Sequence, residues 1–403
     1  MRQTSSFKKS MRRTRSGRFR YKKSLMSTPF GPWLMLGGIT FAIILAIVLC
    51  IAFVVPAVKG WLGISPEAQG VTQTQGTTPA PTAKRHPIES VDFNALQKEV
   101  VVKQQYIADP FFFNDNIYYT AGKDNVGGPK MANLYLYNIE KQSEEQVADV
   151  ELKNDDLFQP QKNEKFLVWV DSKRAGGGNI MAKASTGQSF IVRTYYAGLP
   201  KIVLEGDTLL WIERTGSRMD KLFICDLNTQ ENATLAMFEN SVYGMSDVSA
   251  FNKTVAWAEE EPAPTEDGGE QSVVRLAKLD GKGGQPDILS PHMYVHDPVT
   301  NGEVVAFIDS NHEENSKLYI MKVKGQPQLV EEGVLHYAMG SDFLVYSKDH
   351  KIFIYIWEYD VRKQITPELE QAMLIGVSSD TVLWYQLGQE RDILKYASIA
   401  GIE

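Results

Sequence analysis

The chain has 403 residues, of which 43% are hydrophobic and 23% charged, so it has enough apolar side chains to build a globular core. This composition excludes a wholly disordered or a collagen-like chain. The formal net charge of −7 conceals an asymmetry, because residues 1–23 carry ten Lys and Arg and no acid. The remaining chain holds 32 basic and 49 acidic residues, a net charge of −17, so the N-terminal segment is interpreted separately.

The N-terminal segment has the charge pattern of a membrane anchor. Residues 1–32 form a basic tail, and residues 33–58 form an uncharged stretch dominated by Leu, Ile, Val, Ala and Phe. About 20 apolar residues cross a bilayer, and the flank rich in Lys and Arg stays in the cytoplasm. We therefore predict a single transmembrane helix with a cytoplasmic N-terminus, and a tail that contacts anionic lipid rather than nucleic acid. A signal peptide cleaved near Ala57 is the alternative.

Residues 59–95 are rich in Thr, Gln, Gly and Pro and predict a flexible linker. The two cysteines cannot pair, because Cys50 lies in the predicted membrane segment and Cys225 on a predicted strand. An extracytoplasmic domain without disulfides fits a bacterial envelope better than a eukaryotic secretory route. The predicted location is therefore a bacterial cell membrane, with residues 96–403 outside the cytoplasm.

Residues 96–403 contain seven copies of one hairpin pattern. Each copy has a turn rich in Asn, Asp, Gly or Ser, an apolar strand ending in an aromatic residue, a loop and a further strand. The aromatic anchors lie 38–50 residues apart and are Tyr119, Trp169, Trp211, Trp257, Phe307, Tyr346 and Trp384. This spacing matches the period of roughly 40–50 residues that is typical of propeller blades. With a weaker fourth strand in most copies, the pattern predicts four-stranded antiparallel blades.

The repeat predicts an all-β fold, a seven-bladed β-propeller, with six or eight blades as the alternatives. A single blade cannot bury both of its faces, whereas a closed ring of blades can. The seventh copy has strands at residues 373–377, 381–385 and 393–397, and no fourth strand fits before Glu403. Residues 99–104 have strand character and belong to no blade, so we expect them to supply the outer edge of blade seven.

The order of these strands, with a Lys-Leu-Tyr-Ile run at residues 317–320, resembles the TolB-type repeat. That repeat is also used in the propeller domains of prolyl-oligopeptidase and dipeptidyl-peptidase relatives. The resemblance covers roughly residues 96–400, but the Ser-Pro-Asp-Gly turn typical of TolB repeats is absent from every copy. It implies a propeller and, by analogy of fold, the assembly of protein complexes in the envelope.

Motifs of known enzymes are absent from the sequence. No Gly-x-Ser-x-Gly nucleophile elbow, no His-Glu-x-x-His zinc motif and no phosphate-binding Gly-rich loop before a helix occurs. Acidic residues around Glu259 and Asp309 offer oxygen ligands, but solvated turns explain both stretches. We therefore predict no catalytic residue, no metal site and no cofactor.

Aromatic and histidine residues stand just ahead of the first strand of successive copies. In a propeller these positions lie at one mouth of the central channel, where residues far apart in sequence converge. Tyr and His offer flat contact area with a polar group, which suits peptide or glycan recognition; packing between blades is the alternative. The candidate ligand-binding residues are Tyr195, Tyr196, Tyr243, Tyr294, His296, His336 and Tyr337.

The sequence predicts a non-catalytic, membrane-anchored propeller that acts as a binding or scaffolding module at the bacterial cell surface. The expected partner is an envelope protein or a cell-wall polymer, with the membrane contacted through the anchor and no nucleic acid bound. The competing hypothesis is an envelope enzyme that acts on glycan or peptide at the mouth of the central channel, which we call the funnel. Its reaction would use residues such as His296, Asp297 and His336.

Overall fold

The computed structural model describes residues 87–125, 128–214, 219–239, 247–262, 270–279, 287–288, 294–310, 316–378, 380–388 and 391–399. The predicted tail, the predicted membrane segment and most of the predicted linker lie outside these residues. Over the part of the chain that is described, no helix has the length and apolar character needed to cross a membrane.

The described residues form seven four-stranded antiparallel sheets, one for each predicted blade. Blade 1 contains β2 (Tyr106–Phe113), β3 (Asn116–Lys123), β4 (Lys130–Asn138) and β5 (Ser143–Gln146). Blade 2 contains β6 (Asp156–Lys162), β7 (Phe166–Ser172), β8 (Gly178–Ala184) and β9 (Ser189–Tyr195). Blade 3 contains β10 (Ile202–Glu205), β11 (Thr208–Arg214), β12 (Met219–Asp226) and β13 (Glu231–Glu239). Blade 4 contains β14 (Ser249–Phe251), β15 (Thr254–Pro262), β16 (Glu270–Lys278) and β17 (Asp287–Ile288).

The remaining blades repeat this order. Blade 5 contains β18 (Val295–Thr300), β19 (Val304–Asp309), β20 (Lys317–Lys322) and β21 (Gln328–Glu332). Blade 6 contains β22 (His336–Met339), β23 (Leu344–Lys348), β24 (Lys351–Ile356) and β25 (Val361–Gln364). Blade 7 contains β26 (Ala372–Ser378), β27 (Thr381–Gln386), β28 (Ile393–Ser398) and, as its outer edge, β1 (Gln97–Glu99). A 3-10 turn (Pro87–Ser90) and a short helix α1 (Phe93–Leu96) precede β1.

The first strands of neighbouring blades contact one another in ring order, from β2 through β26 and back to β2. The predicted seven-bladed propeller is therefore confirmed, with the first strand of every blade against the central channel. Because all blades share one strand order and sense, every first strand begins at the same end of the ring. We call this end the entry face; it carries the connections from each outer strand to the next blade.

The core lies between blades rather than within them. Each of the seven buried apolar clusters in the described residues combines side chains of two consecutive blades. The predicted aromatic anchors all lie on second strands and are at most 1% exposed. These strands are covered on both faces, which explains why they read as continuous apolar runs in the sequence.

The strand just before blade 1 closes the ring, as predicted, but it is not the strand that the sequence predicted. The outer edge of blade 7 is Gln97–Glu99, paired antiparallel with β28, and not residues 99–104. The Val100 amide still donates to the Leu394 carbonyl at 2.9 Å, and its side chain is 3% exposed. Val101 turns outward and is 65% exposed, because beyond Val100 the chain leaves the sheet edge and crosses to β2. The outer strand of blade 6 is also displaced by two residues, because the sequence predicts it at residues 363–366 and β25 spans Val361–Gln364.

Candidate functional site

Three first strands carry the same irregularity at the channel. In β2, β6 and β18 one extra residue is inserted opposite the second strand, which forms a β-bulge. The two residues that stand opposite one residue of the second strand are Asp109-Pro110, Gln159-Pro160 and Asp297-Pro298, and the residue before each proline has φ near +50°. Left-handed backbone is uncommon for residues other than glycine, and such positions concentrate at functional sites.

The bulge side chains connect neighbouring blades. The Asp109 carboxylate accepts the Gln159 amide N–H at 2.8 Å, which joins blade 1 to blade 2. The Gln159 side-chain amide donates to the Pro200 carbonyl at 3.0 Å and accepts the Ile202 N–H at 2.9 Å, which joins blade 2 to blade 3. Neighbouring blades are separate sheets and share no ladder of backbone hydrogen bonds. These side-chain bonds link them instead and hold the inner strands in register around the channel.

Blades 3 to 6 contribute a charged network at the entry face. Lys201, just before β10, forms an ion pair with Asp247, which lies just before β14. The Asp247 backbone N–H donates to the Asp297 carboxylate at 2.9 Å, and the other Asp297 oxygen lies 2.8 Å from His296 Nδ1. The Tyr337 hydroxyl, from β22, donates to the Asp297 carbonyl. Asp297 therefore joins elements of three blades through its backbone and side chain.

The carboxylates of this network titrate differently because their surroundings differ. Desolvation raises the pKa of Asp247, and the nearby Asp297 carboxylate raises it further, against the effect of Lys201. Desolvation also acts on Asp297, but the hydrogen bond and charge of His296 outweigh it and lower the pKa of that carboxyl. Both side chains are about a third exposed, so they are enclosed by protein and still reached by water, as expected at a channel mouth.

The predicted funnel residues divide into distinct groups. His296 and Tyr337 belong to the network just described, and Tyr294 immediately precedes β18 and is half-buried. Tyr196 is 87% exposed on the connection from blade 2 to blade 3, and His336 is exposed at the start of β22. Tyr243 lies outside the described residues.

Tyr195 differs from the expectation for a funnel residue. It ends β9, the outer strand of blade 2, and its side chain is 2% exposed within the core cluster of blades 2 and 3. Neighbouring residues of an extended strand point to opposite sides, so burial of Tyr195 accompanies exposure of Tyr196. Tyr195 is thus a packing residue and Tyr196 a surface residue.

The candidate residues predicted from the sequence did not include Asp109, Gln159, Lys201 or Asp247. One signal could have revealed the bulges: a polar residue followed by proline near the start of the first strand in three copies, at residues 109, 159 and 297. No comparable signal marks Lys201 or Asp247, because they meet only when consecutive blades close around the channel.

Exposed apolar side chains lie on the same face as the network. Among the exposed large hydrophobic residues, several lie on connections between blades at the entry face: Val101, Tyr196, Leu199, Leu335 and Leu369. Leu369 is the most exposed of them, at 97%. The entry face therefore combines charged groups near the channel with exposed apolar groups on the connections between blades.

The described residues offer little for metal or thiol chemistry. No group of three His, Cys, Asp or Glu side chains lies close enough to hold a metal ion in the described ranges. Cys225 is fully buried in the core of blades 2 and 3, and burial raises the pKa of its thiol to about 11. A thiol of that pKa is inert at neutral pH.

Comparison with solved structures supports the fold. The β-propeller domain of the Trilobed protease from Pyrococcus furiosus, described as having an open velcro topology, matches with a TM-score of 0.57 at 14% identity. The match covers 72% of this chain and 95% of that domain. A puromycin-hydrolyzing peptidase from Mycobacterium tuberculosis matches with a TM-score of 0.50 at 14% identity, over 74% of this chain and 52% of that one.

The chain is thus a seven-bladed β-propeller whose structural neighbours include propeller domains of peptidases. It spans about half the length of the second neighbour, and at 14% identity the likeness shows the fold alone. No protein-family model matches the sequence. No curated protein matches it either.

Proposed function

We propose that this propeller is a non-catalytic binding or scaffolding module, and that the entry face is its binding face. The observation that carries the proposal is the network of Lys201, Asp247, Asp297 and Tyr337, which draws polar groups from four blades to one channel mouth. Convergent polar groups in a concave, pre-formed surface are typical of ligand sites.

The apolar rim of the entry face supports the same proposal. Interfaces commonly place desolvated aromatic and aliphatic anchors beside charged groups that set orientation. Tyr196 and Leu335 lie on connections leading to β10 and β22, which begin beside the charged network. A protein partner or a cell-wall polymer would contact these apolar side chains and the charged mouth together.

The proposed location is the outer surface of a bacterial cell membrane. The support is the uncharged stretch at residues 33–58 behind a basic tail, followed by a linker that leads into the propeller. A tethered module of this kind would hold its partner near the membrane without penetrating it.

A second candidate function is an enzyme that acts on peptide or glycan in the funnel, alone or with a partner. The fold of its neighbours favours it, because those propellers belong to peptidases. His296 and Asp297 offer a proton donor and acceptor pair 2.8 Å apart. The described part of the network contains no serine or cysteine nucleophile, which is why the binding role ranks first.

Site-specific photocrosslinking tests the binding face. The full chain, carrying p-benzoylphenylalanine in place of Tyr196 or Leu335, is irradiated in bacterial envelopes. The control positions are Phe251 and Tyr359, which are 46% and 49% exposed and lie at hairpin turns on the opposite face. We expect crosslinks to an envelope protein or a wall polymer from the first pair alone. Equal crosslinking from both faces would contradict the proposed binding face.

The enzymatic candidate has its own test. The purified full chain is incubated with wall-polymer fragments and with peptides, next to His296→Asn and Asp297→Asn variants. Turnover that both substitutions abolish would favour the enzyme over the binding module. Crosslinking without turnover would favour the binding module.

A further inference from the structure

A second concave region lies where the ring closes, between blades 7 and 1. Its volume is about 580 Å³, and it sits under the segment that crosses from β1 to β2. We call it the seam pocket; its walls include Val100, Ile107, Met373, Tyr385, Arg391 and Asp392. It opens at the entry face, since Tyr106 begins β2 and Met373 lies at the start of β26.

The Tyr385 hydroxyl is the unexplained group of the seam pocket. Its oxygen is buried and has no hydrogen-bond partner in the described part of the protein. Buried hydroxyls almost always have a partner, so an unpaired one in a pocket wall points to a missing ligand or water. A tyrosine oxygen can accept a hydrogen bond as well as donate one.

The charges around this hydroxyl are negative. Burial raises the pKa of Tyr385, and the carboxylates of Asp109 and Asp392 raise it further. The pocket wall itself carries two acidic side chains, Glu99 and Asp392, and one basic side chain, Arg391. Desolvation raises the pKa of Asp109 as well, and only the Gln159 N–H opposes that effect. The hydroxyl therefore lies near two carboxylates, in a pocket whose described wall has more acidic than basic side chains.

We propose that the seam pocket binds an alkylammonium group, with Tyr385 Oη and the Asp392 carboxylate as its acceptors and Asp109 as a further attractive charge. The apolar side chains of Val100, Ile107 and Met373 suit the carbon chain that carries the amine. Such a group is either the free amino terminus of a peptide or the side-chain amine of lysine or another diamino acid. This assignment is independent of the charged network of blades 3 to 6, so either can fail without the other.

Saturation-transfer NMR on the purified full chain tests the charge requirement. The probe is n-butylamine, and the matched neutral control is n-butanol, which has nearly the same shape and no charge. We expect butylamine to bind about tenfold or more tightly than butanol, because a hydrogen bond to a charged group greatly exceeds a neutral one. Equal binding of the two would overturn the proposal.

The Tyr385→Phe variant tests the site itself. Because the hydroxyl bonds nothing in the described protein, its loss should leave the melting temperature unchanged and weaken butylamine binding about tenfold. Asp392→Asn should weaken it similarly, while the control Tyr359→Phe, on the opposite face, should not. Undiminished butylamine binding by Tyr385→Phe would overturn the proposal.

Competition against butylamine distinguishes the two sources of the amine. Trialanine amide presents only an α-amine, and N-acetyl-lysine amide presents only a side-chain amine. Displacement by either supports the site and identifies its source. Failure of both to displace the probe would overturn the assignment to peptide or diamino-acid ligands.

Discussion

The indole Nε1 of Trp211 donates a 2.9 Å hydrogen bond to the carboxylate of Glu213, two residues along the same strand. The same relationship joins Trp257 to Glu259 at 2.9 Å. Residues two apart on a strand share a face, so the carboxylate reaches the fully buried ring from its own strand. In blade 7 the carboxylate comes instead from Glu370, which accepts from Trp384 at 2.9 Å. Three buried anchors thus share a carboxylate partner, whether that partner comes from the same strand or from elsewhere in the chain.

We expect Trp211→Phe to destabilise the fold more than Trp169→Phe, by about 1.5 kcal/mol or more. Both substitutions remove similar volume from a fully buried site, but only Trp211 bonds a carboxylate. The Trp169 Nε1 has no partner among the described residues. Chemical denaturation of both variants measures the difference. Equal costs would show that the carboxylate bond adds nothing net to stability.

Ring closure is expected to depend on Val100 and not on its neighbour. Val100→Asp places a charge in the apolar cluster of blades 7 and 1, and should cost about 3 kcal/mol or more. Val101→Asp, one residue on and 65% exposed, is the matched control and should be nearly neutral. Thermal melting compares the two.

Deletion of residues 97–104 should cause marked destabilisation and aggregation through the open edge of β28.

Asp109→Asn should stabilise the protein at neutral pH. Desolvation raises the folded-state pKa of Asp109 above its ordinary value of 3.8, so the folded protein holds this proton more tightly than the unfolded chain. The penalty is therefore complete above the folded pKa and disappears below pH 3.8. Asparagine keeps the acceptor for Gln159 and tolerates positive φ. Melting temperatures across pH should show a gain that vanishes in acid.

Asp124→Asn is the control, because it should change the melting temperature in the opposite direction to Asp109→Asn. Hydrogen bonds from Tyr106 and Gln105 lower the pKa of the Asp124 carboxyl, so its stabilisation is present above pH 3.8 and is lost as the pH falls through the folded pKa. Its replacement should therefore lower the melting temperature at neutral pH. If both variants changed the melting temperature in the same direction, the Asp109 carboxylate would not carry the desolvation cost inferred here.

Tyr195 and Tyr196 should respond in opposite ways to alanine. Tyr195→Ala empties a buried position and should cost about 3 kcal/mol of stability. Tyr196→Ala should leave stability unchanged and, as a recognition residue, reduce partner binding by about 2 kcal/mol. Denaturation and binding of the envelope partner are measured on the same samples. Full binding by Tyr196→Ala would remove it from the proposed site.

The topology is expected to place the propeller outside the membrane. Protease added to intact protoplasts should digest the propeller and spare a tag at residue 1, because the basic tail stays in the cytoplasm. A cytoplasmic marker protein controls for lysis. Protection of the propeller in intact protoplasts would reverse the predicted orientation.

The propeller could be predicted because its signals are local. The pattern of a polar turn, an apolar strand and an aromatic anchor occupies about a dozen consecutive residues. All seven anchors lie on the second strand, as expected. Outer strands were placed less well because, as at β25, they are short and only partly buried. The prediction placed the closing strand at residues 99–104 instead of Gln97–Glu99. Strand propensity alone does not show the register in which an isolated segment pairs.

The amino-acid sequence by itself determined the repeat, its period, the aromatic core and the need to close the ring. The tertiary structure alone decided which polar residues meet. Lys201 and Asp247 are separated by one blade of sequence, as are Asp247 and Asp297, and each pair touches only because consecutive blades pack side by side. It also decided that Tyr195 is buried while Tyr196 is exposed, and that Tyr385 and Asp392 of blade 7 lie near Asp109 of blade 1. The physical reason is that strand pairing follows local patterns, whereas contacts between blades depend on the geometry of the closed ring.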